Sequence, residues 1–304
     1  MEINRKGIIL AGGSGSRLYP STKAISKQLV PVYDKPMIYY PLCTLMEMDI
    51  KEICIISTPE HIGLFEKLLG DGSELGLSFT YEVQREPNGL AESFLLAENF
   101  LDGSSCCLIL GDNIFIGESF IDKISEAVQR NLGSSIFAYK VRDPERFGVV
   151  EFNDDYKVIS IEEKPKNPKS NYAVTGIYFY DQEVVEYAKS LRPSPRGELE
   201  ITDLNNIYLK KGNLSVDIIP EDSYWLDAGT PKSLMEASNF IYELEQNKGV
   251  RLHVLKRYLS IRTGLNQMIL LKELNMLPMN MMNIFSRNLN YEINKPRNTR
   301  CDHD

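Results

Sequence analysis

Short apolar runs alternate with amphipathic stretches along the first half of the chain. Residues 7–10, 52–57, 79–83, 106–110 and 135–139 are brief runs rich in Ile, Leu, Val, Phe and Cys, the pattern of buried strands. Between them, 36–48, 60–69, 90–100 and 120–129 read as helices. Such alternation predicts an α/β fold built on a doubly wound, mainly parallel, Rossmann-like sheet. The second half is more mixed. Strands are expected at 149–152, 158–161, 173–180 and 214–219, helices near 183–190 and 200–210, and an amphipathic helix over 231–245. No repeat or low-complexity linker interrupts residues 1–249.

Ligands of doubly wound sheets sit beyond the carboxyl ends of the strands. Residues 7–10 run directly into a loop containing Gly12, Gly13 and Gly15, followed by Ser16 and Arg17, with Lys27 ten residues further on. Glycines let a backbone approach a polyphosphate and aim N–H groups at it. Arginine and lysine supply fixed positive charge where phosphoryl transfer develops negative charge. The loop is not a Walker A motif, because no lysine follows the glycines at that spacing. Nor is it a dinucleotide fingerprint: counting from Gly13-x-Gly15, the third glycine is replaced by Leu18. A plain flexible turn is the alternative, and the flanking Arg17 and Lys27 argue against it. Asp112 also follows a strand and should share one crevice with this loop. Alone, Asp112 and Asp227 read equally well as turn caps.

Length and charge narrow the picture. A chain of 304 residues suffices for one large α/β domain. The net charge of −8 argues against a nucleic-acid partner. No run approaches the ~18–20 apolar residues of a membrane span, and the N-terminus lacks a signal core. Five cysteines without a C-x-x-C pair fit reduced thiols in a cytoplasmic protein. Three histidines without partners at catalytic spacing give no basis for a histidine-dependent hydrolase.

The pattern L-A-G-G-x-G-[ST]-R-L-x-P, followed by S-K-Q-L-[VL]-P, resembles the sugar-nucleotidyltransferase family. The likeness runs from Lys6 to about Gly249, through 34–42, 110–115, 143–152, 162–165 and 225–230. It is nearest to members acting on dTTP and glucose-1-phosphate. The resemblance implies a nucleotidyltransferase-type sheet, with a nucleotide-binding part at about 1–115 and a sugar-binding part at about 116–249. It also implies Mg2+ held by Asp112 and Asp227, and catalytic roles for Arg17, Lys27 and Lys164. Gly12, Gly13, Gly15, Ser16, Arg17, Gln28, Gln84, Pro87 and Gly89 would bind the nucleotide, with Gln84 reading the base edge. Gly148, Glu163, Lys164 and Val174 would bind the sugar phosphate. Ser16 keeps the hydroxyl of the usual threonine, whereas Phe147 lacks that of the tyrosine often found there. The family further implies a homo-oligomer (dimer or tetramer) and a product destined for deoxysugar and surface-polysaccharide precursors. A UTP-using relative and a non-catalytic sugar-nucleotide sensor are the rival expectations.

Residues 250–304 depart from this pattern. They hold five of the ten methionines, with nine Lys/Arg against four Asp/Glu. Met279-Asn280-Met281-Met282-Asn283-Ile284 has an almost forced coding sequence. Read from its third base, it gives Glu, Tyr or His, Asp, Glu, Tyr or His, resembling the family's acidic, tyrosine-bearing tail. A frameshift near residues 250–253 is therefore expected, in the gene or in its reading.

Overall fold

The computed structural model describes residues 5–248, apart from 131 and 156, so the tail expectation lies outside the described residues. The chain opens with β1 (Lys6–Leu10), the short pair β2 (Pro31–Val32) and β3 (Lys35–Pro36), and helix α1 (Tyr39–Glu47). Then come β4 (Glu52–Ser57), α2 (Ile62–Leu69), β5 (Ser78–Val83), α3 (Glu92–Leu96), α4 (Glu98–Leu101) and β6 (Cys106–Leu110). The chain continues through β7 (Asn113–Ile116), α5 (Glu118–Val128), β8 (Ser134–Lys140), β9 (Gly148–Phe152), β10 (Val158–Glu163) and β11 (Tyr172–Tyr180). It closes with α6 (Val184–Ser190), α7 (Ile201–Lys210), β12 (Leu214–Ile218), β13 (Tyr224–Asp227) and α8 (Pro231–Lys248).

The nine-stranded sheet has a parallel half and a mixed half. β6, β1, β4 and β5 lie side by side in parallel, with Ile9 facing Ile109 on one flank and Ile55 on the other. β11 enters antiparallel between β6 and β8, and β12 runs parallel beside β8. The β9–β10 hairpin joins where Val149 meets Ala173 of β11. Parallel strands must be covered on both faces, which is why their sequences are continuous apolar runs rather than alternating ones. The main core gathers Ile8, Leu10, Phe94, Leu108, Ile136, Tyr180 and Leu204 between sheet and helices. Each fully buried side chain of this size contributes about 1.5–3 kcal/mol. No described helix is long and apolar enough to cross a membrane.

Three local readings differ. The helix expected from 36 starts at Tyr39, because Pro36 pairs with Pro31 in the β2–β3 hairpin. The helix expected over 90–100 is two short helices that meet at Ala97. The third difference shapes the site: β7 and β13 form a separate antiparallel ladder, with Asp227 opposite Asn113. Each strand is only four residues long, and they lie more than a hundred residues apart, so local pattern carries no sign of their pairing.

α8 braces this ladder. Thr230 and Ser233 exchange reciprocal hydrogen bonds (Thr230 N–H to Ser233 Oγ, 2.9 Å; Ser233 N–H to Thr230 Oγ1, 3.2 Å), and Pro231 takes the first helical position. Ala237 and Ile241 then pack against Ile114, Ile116, Val32 and Tyr40. The short loop between β13 and the helix is thereby fixed at both ends.

Candidate active site

The glycine loop leaves β1 with Gly13 and Gly15 at positive φ, conformations that glycine adopts without strain. Thr22 Oγ1 donates to the Gly15 carbonyl at 2.7 Å and pins the loop's far side. Ser16 and Arg17 begin a single turn of 3-10 helix. A second such turn carries Lys27, which is buried, and its Nζ donates to Oδ2 of Asp112 at 2.5 Å. The other oxygen of Asp112 accepts from Asn113 Nδ2 at 2.8 Å. Asn113 Oδ1 in turn accepts from the Gly176 N–H of β11 at 3.0 Å and from Trp225 Nε1 of β13 at 2.6 Å. One buried amide thus ties the end of the parallel half to the mixed half and to the strand carrying Asp227.

The two carboxylates sit in different electrostatic settings. Burial alone would raise the Asp112 carboxyl, but the charge and hydrogen bond of Lys27, helped by Asn113, hold it below its ordinary value. Burial pushes the Asp227 carboxyl up, and the neighbouring negative charge of Asp112 adds to that shift. Lys27, Arg17 and Arg146 offset it only partly, with Arg146 Nη2 3.9 Å from Asp227 Oδ2. Two carboxylates, one raised by the charge of the other and both set among cations, make a site suited to a bound divalent cation and phosphate.

Two connected clefts open at this edge of the sheet. The larger, about 600 Å3, is lined by Arg17, Asp112, Gly148, Glu163, Lys164, Val174 and Asp227 among others. The smaller, about 210 Å3, is lined by Gly12, Gly13, Gln28, Gln84, Pro87, Gly89 and Asp112. Leu90, Leu110, Asp112 and Glu198 lie on both walls. Gly15, Ser16 and Lys27 line neither cleft: Lys27 is buried behind Asp112, and Ser16 is exposed beside the loop. The expected shared crevice of loop and Asp112 is therefore present.

Lys164 holds a positive φ of 44°, which is rare for a residue with a side chain, and its N–H is fixed to the Phe147 carbonyl at 3.0 Å. Such strain gathers where side-chain placement matters for function. Beside it, Glu163 accepts from Thr202 Oγ1 at 2.6 Å, and Arg196 Nη2 approaches Glu163 Oε1 at 3.5 Å.

Sequence reasoning overlooked Arg146, Arg196, Glu198, Glu200 and Thr202, all of which line the larger cleft. Arg146 falls within the quoted segment 143–152, and that position was a usable signal. Arg196 follows Arg-Pro-Ser-Pro, which reads only as a loop. Its involvement depends on three carboxylates (Glu163, Glu198 and Glu200) that the fold draws around it.

The family model for nucleotidyl transferases matches residues 6–243. The chain belongs to the nucleotidyl transferase family. It is 54% identical over 251 residues to the glucose-1-phosphate thymidylyltransferase of Neisseria meningitidis serogroup A, covering 83% of this chain and 87% of that protein. To the enzyme of the same name from Xanthomonas campestris pv. campestris (strain B100) it is 55% identical over 247 residues, covering 81% and 84%. A solved Bacillus anthracis structure, assigned as a glucose-1-phosphate thymidylyltransferase and holding a sucrose, superposes with a TM-score of 0.72 at 49% identity. That match covers 78% of this chain and 94% of that one. The nucleotidyltransferase sheet expected from sequence is thus the fold of this chain, and the family is one of enzymes.

Proposed function

We propose that this protein transfers dTMP from dTTP to glucose-1-phosphate, releasing dTDP-glucose and pyrophosphate. The observation that carries the reading is the convergence of Arg17, Asp112, Lys164 and Asp227 on one cleft, with Lys27 bonded to Asp112 from behind. Relatives bearing the thymidylyltransferase name share more than half of the aligned residues.

The sugar's phosphate oxygen is already anionic and needs no general base. It attacks the α-phosphorus of dTTP in line. The new P–O bond forms as the bond to the β-phosphate's bridging oxygen breaks, and pyrophosphate leaves toward residues 12–17. Arg17 and Lys27 offset the charge gathering on the α-phosphoryl and leaving oxygens. Lys164 and Glu163 hold the acceptor's phosphate and hydroxyls, against walls formed by Gly148 and Val174. Gln28 donates to the Gly12 carbonyl at 3.4 Å and shapes the nucleotide side, where Gln84, Pro87 and Gly89 meet the base.

Two oxygen-donor carboxylates beside a phosphate loop fit Mg2+, which takes one or two carboxylates and completes its shell with phosphate and water oxygens. Among the described residues no larger cluster of His, Cys, Asp or Glu gathers as a cage. Asp112 and Asp227 would hold the ion, which supplies charge neutralisation and alignment of the two phosphates when bound. Homo-oligomer assembly is supported by exposed Tyr33, Tyr224, Met235 and Tyr242, carried on or beside β2–β3, β13 and α8. Buried free thiols at Cys54, Cys106 and Cys107 support a reducing, cytoplasmic setting, where the product feeds deoxysugar and surface-polysaccharide precursors.

Pyrophosphate release, assayed across dTTP, UTP, dCTP and dATP with several sugar-1-phosphates, tests the reading. The pair dTTP and glucose-1-phosphate should give the highest kcat/KM, and an inert protein would contradict it.

A further inference from the structure

Gln84 is buried on the wall of the smaller cleft, and its amide is held in one orientation. Nε2 donates to the Gly89 carbonyl at 3.2 Å and to Oε2 of Glu92 at 2.8 Å. Both partners can only accept: one is a carbonyl, the other a carboxylate. Turning the amide over would set its oxygen against two other oxygens, so both N–H donors face away from the cleft. Oε1 is left pointing at the glycine loop, where a Cβ on Gly12 would lie 2.9 Å from it. Among the described residues no donor meets Oε1.

The supports of this arrangement are themselves fixed. Gly89 sits at φ +103°, and a Cβ there would come within 2.4 Å of the Leu199 carbonyl, so its own carbonyl has little freedom to shift. Glu92 opens α3, and its second oxygen accepts from Asn88 Nδ2 at 2.8 Å. Of the two acceptors holding Gln84, Glu92 is the one that a side-chain substitution removes.

We propose that Glu92 is a positioning residue that sets base specificity, by holding Gln84 as a pure hydrogen-bond acceptor toward the nucleotide. This rests on Gln84 being the base contact in the reaction proposed above. A fixed acceptor selects pyrimidines that present a ring N–H. Thymine and uracil carry a donor at N3, whereas N3 of cytosine is itself an acceptor and would face Oε1 oxygen to nitrogen with no proton between. A buried polar group left unpaired in this way rejects the wrong ligand strongly. Oε1 does not separate thymine from uracil, and that choice falls to the apolar wall of Leu10, Leu90 and Leu110.

The test is kcat/KM for dTTP, UTP and dCTP at saturating glucose-1-phosphate. It compares the full-length wild type with Glu92→Gln, Glu92→Met and Asn88→Ala. Wild type should favour dTTP over dCTP by about 100-fold or more. Glu92→Gln can donate as well as accept, and Glu92→Met offers no donor and only a weak thioether acceptor, so both leave the Gln84 amide held by the Gly89 carbonyl alone and freer to turn. In each, the dTTP:dCTP ratio should fall about tenfold through a gain with dCTP, while kcat with dTTP and KM for glucose-1-phosphate stay within about threefold. Asn88→Ala removes only the outer partner of Glu92 and should keep the wild-type ratio. An unchanged ratio in a folded Glu92→Gln overturns the proposal. So does equal loss of activity with every nucleotide at an unchanged Tm, since that marks Glu92 as merely catalytic support. If Glu92→Met fails to fold, Glu92→Gln, which keeps the side chain's size, decides alone. A wild type that ignores dTTP altogether would instead remove the reaction itself, a distinguishable outcome.

Discussion

Lys27 and Asp112 show how single residues divide the work of this site. The lysine is buried behind the cleft, and its charge keeps the Asp112 carboxyl ionised despite burial, while Asp227 is pushed the other way. In the reaction proposed above, removing the cation subtracts positive charge from the place where transfer concentrates negative charge. Lys27→Ala should lower kcat by about 100-fold or more, the scale of losing one preorganised transition-state donor. Asp112 faces a cleft that water enters, so the same change should cost only about 1–2 kcal/mol of folding stability. Parallel kinetics and denaturant unfolding check both numbers, and near-normal turnover would take Lys27 out of the mechanism. Much at this scale was legible in the sequence. Gly12, Gly13, Gly15, Arg17 and Lys27 fall in one short stretch of chain, which is what the proposed phosphate site asks of backbone approach and local charge. Arg196 was not legible, because its surroundings come from residues 163, 198 and 200 after folding. Nor was the orientation of Gln84, since the two acceptors that fix it lie five and eight residues away across a turn.

Among the elements, the β7–β13 ladder decides whether two distant aspartates make one site. Strands β1, β4 and β6 announce themselves by composition, because a parallel strand covered on both faces must be apolar throughout. The ladder has no such signature, and its register depends on α8 packing beneath it and on the Asn113 amide joining it to β11. Asn113→Ala would orphan the buried Gly176 N–H and the Trp225 indole N–H, and would free one oxygen of Asp112. It should destabilise the fold by about 2–4 kcal/mol, the cost of leaving such groups unpaired. Trp225 is the chain's sole tryptophan, so its emission reports this junction directly. A red shift in the folded variant, with an earlier unfolding midpoint, is the expected result. Wild-type emission and midpoint would show that the amide does not hold the ladder.

For the molecule as a whole, the described residues within 5–248 line both clefts, and the nucleotidyl transferase model matches 6–243. Beyond residue 249 the composition changes sign in charge and fills with Met and Asn. Resequencing the gene, with intact-mass measurement of the native protein, should return a shifted frame near residues 250–253 and an acidic, tyrosine-bearing tail. Recovery of the printed tail from an active native protein would contradict the reading-error form of that expectation. None of this alters the chemistry assigned to the cleft, which rests on where the phosphoryl group goes. Double-labelled dTTP measures that directly, with one label on the α-phosphorus and another on the γ-phosphorus, incubated with glucose-1-phosphate and Mg2+. The α label should appear in dTDP-glucose and the γ label in pyrophosphate, in equal amounts, with both transfers depressed together in Lys27→Ala. Recovery of the α label as dTMP or in unreacted dTTP would contradict nucleotidyl transfer by this protein.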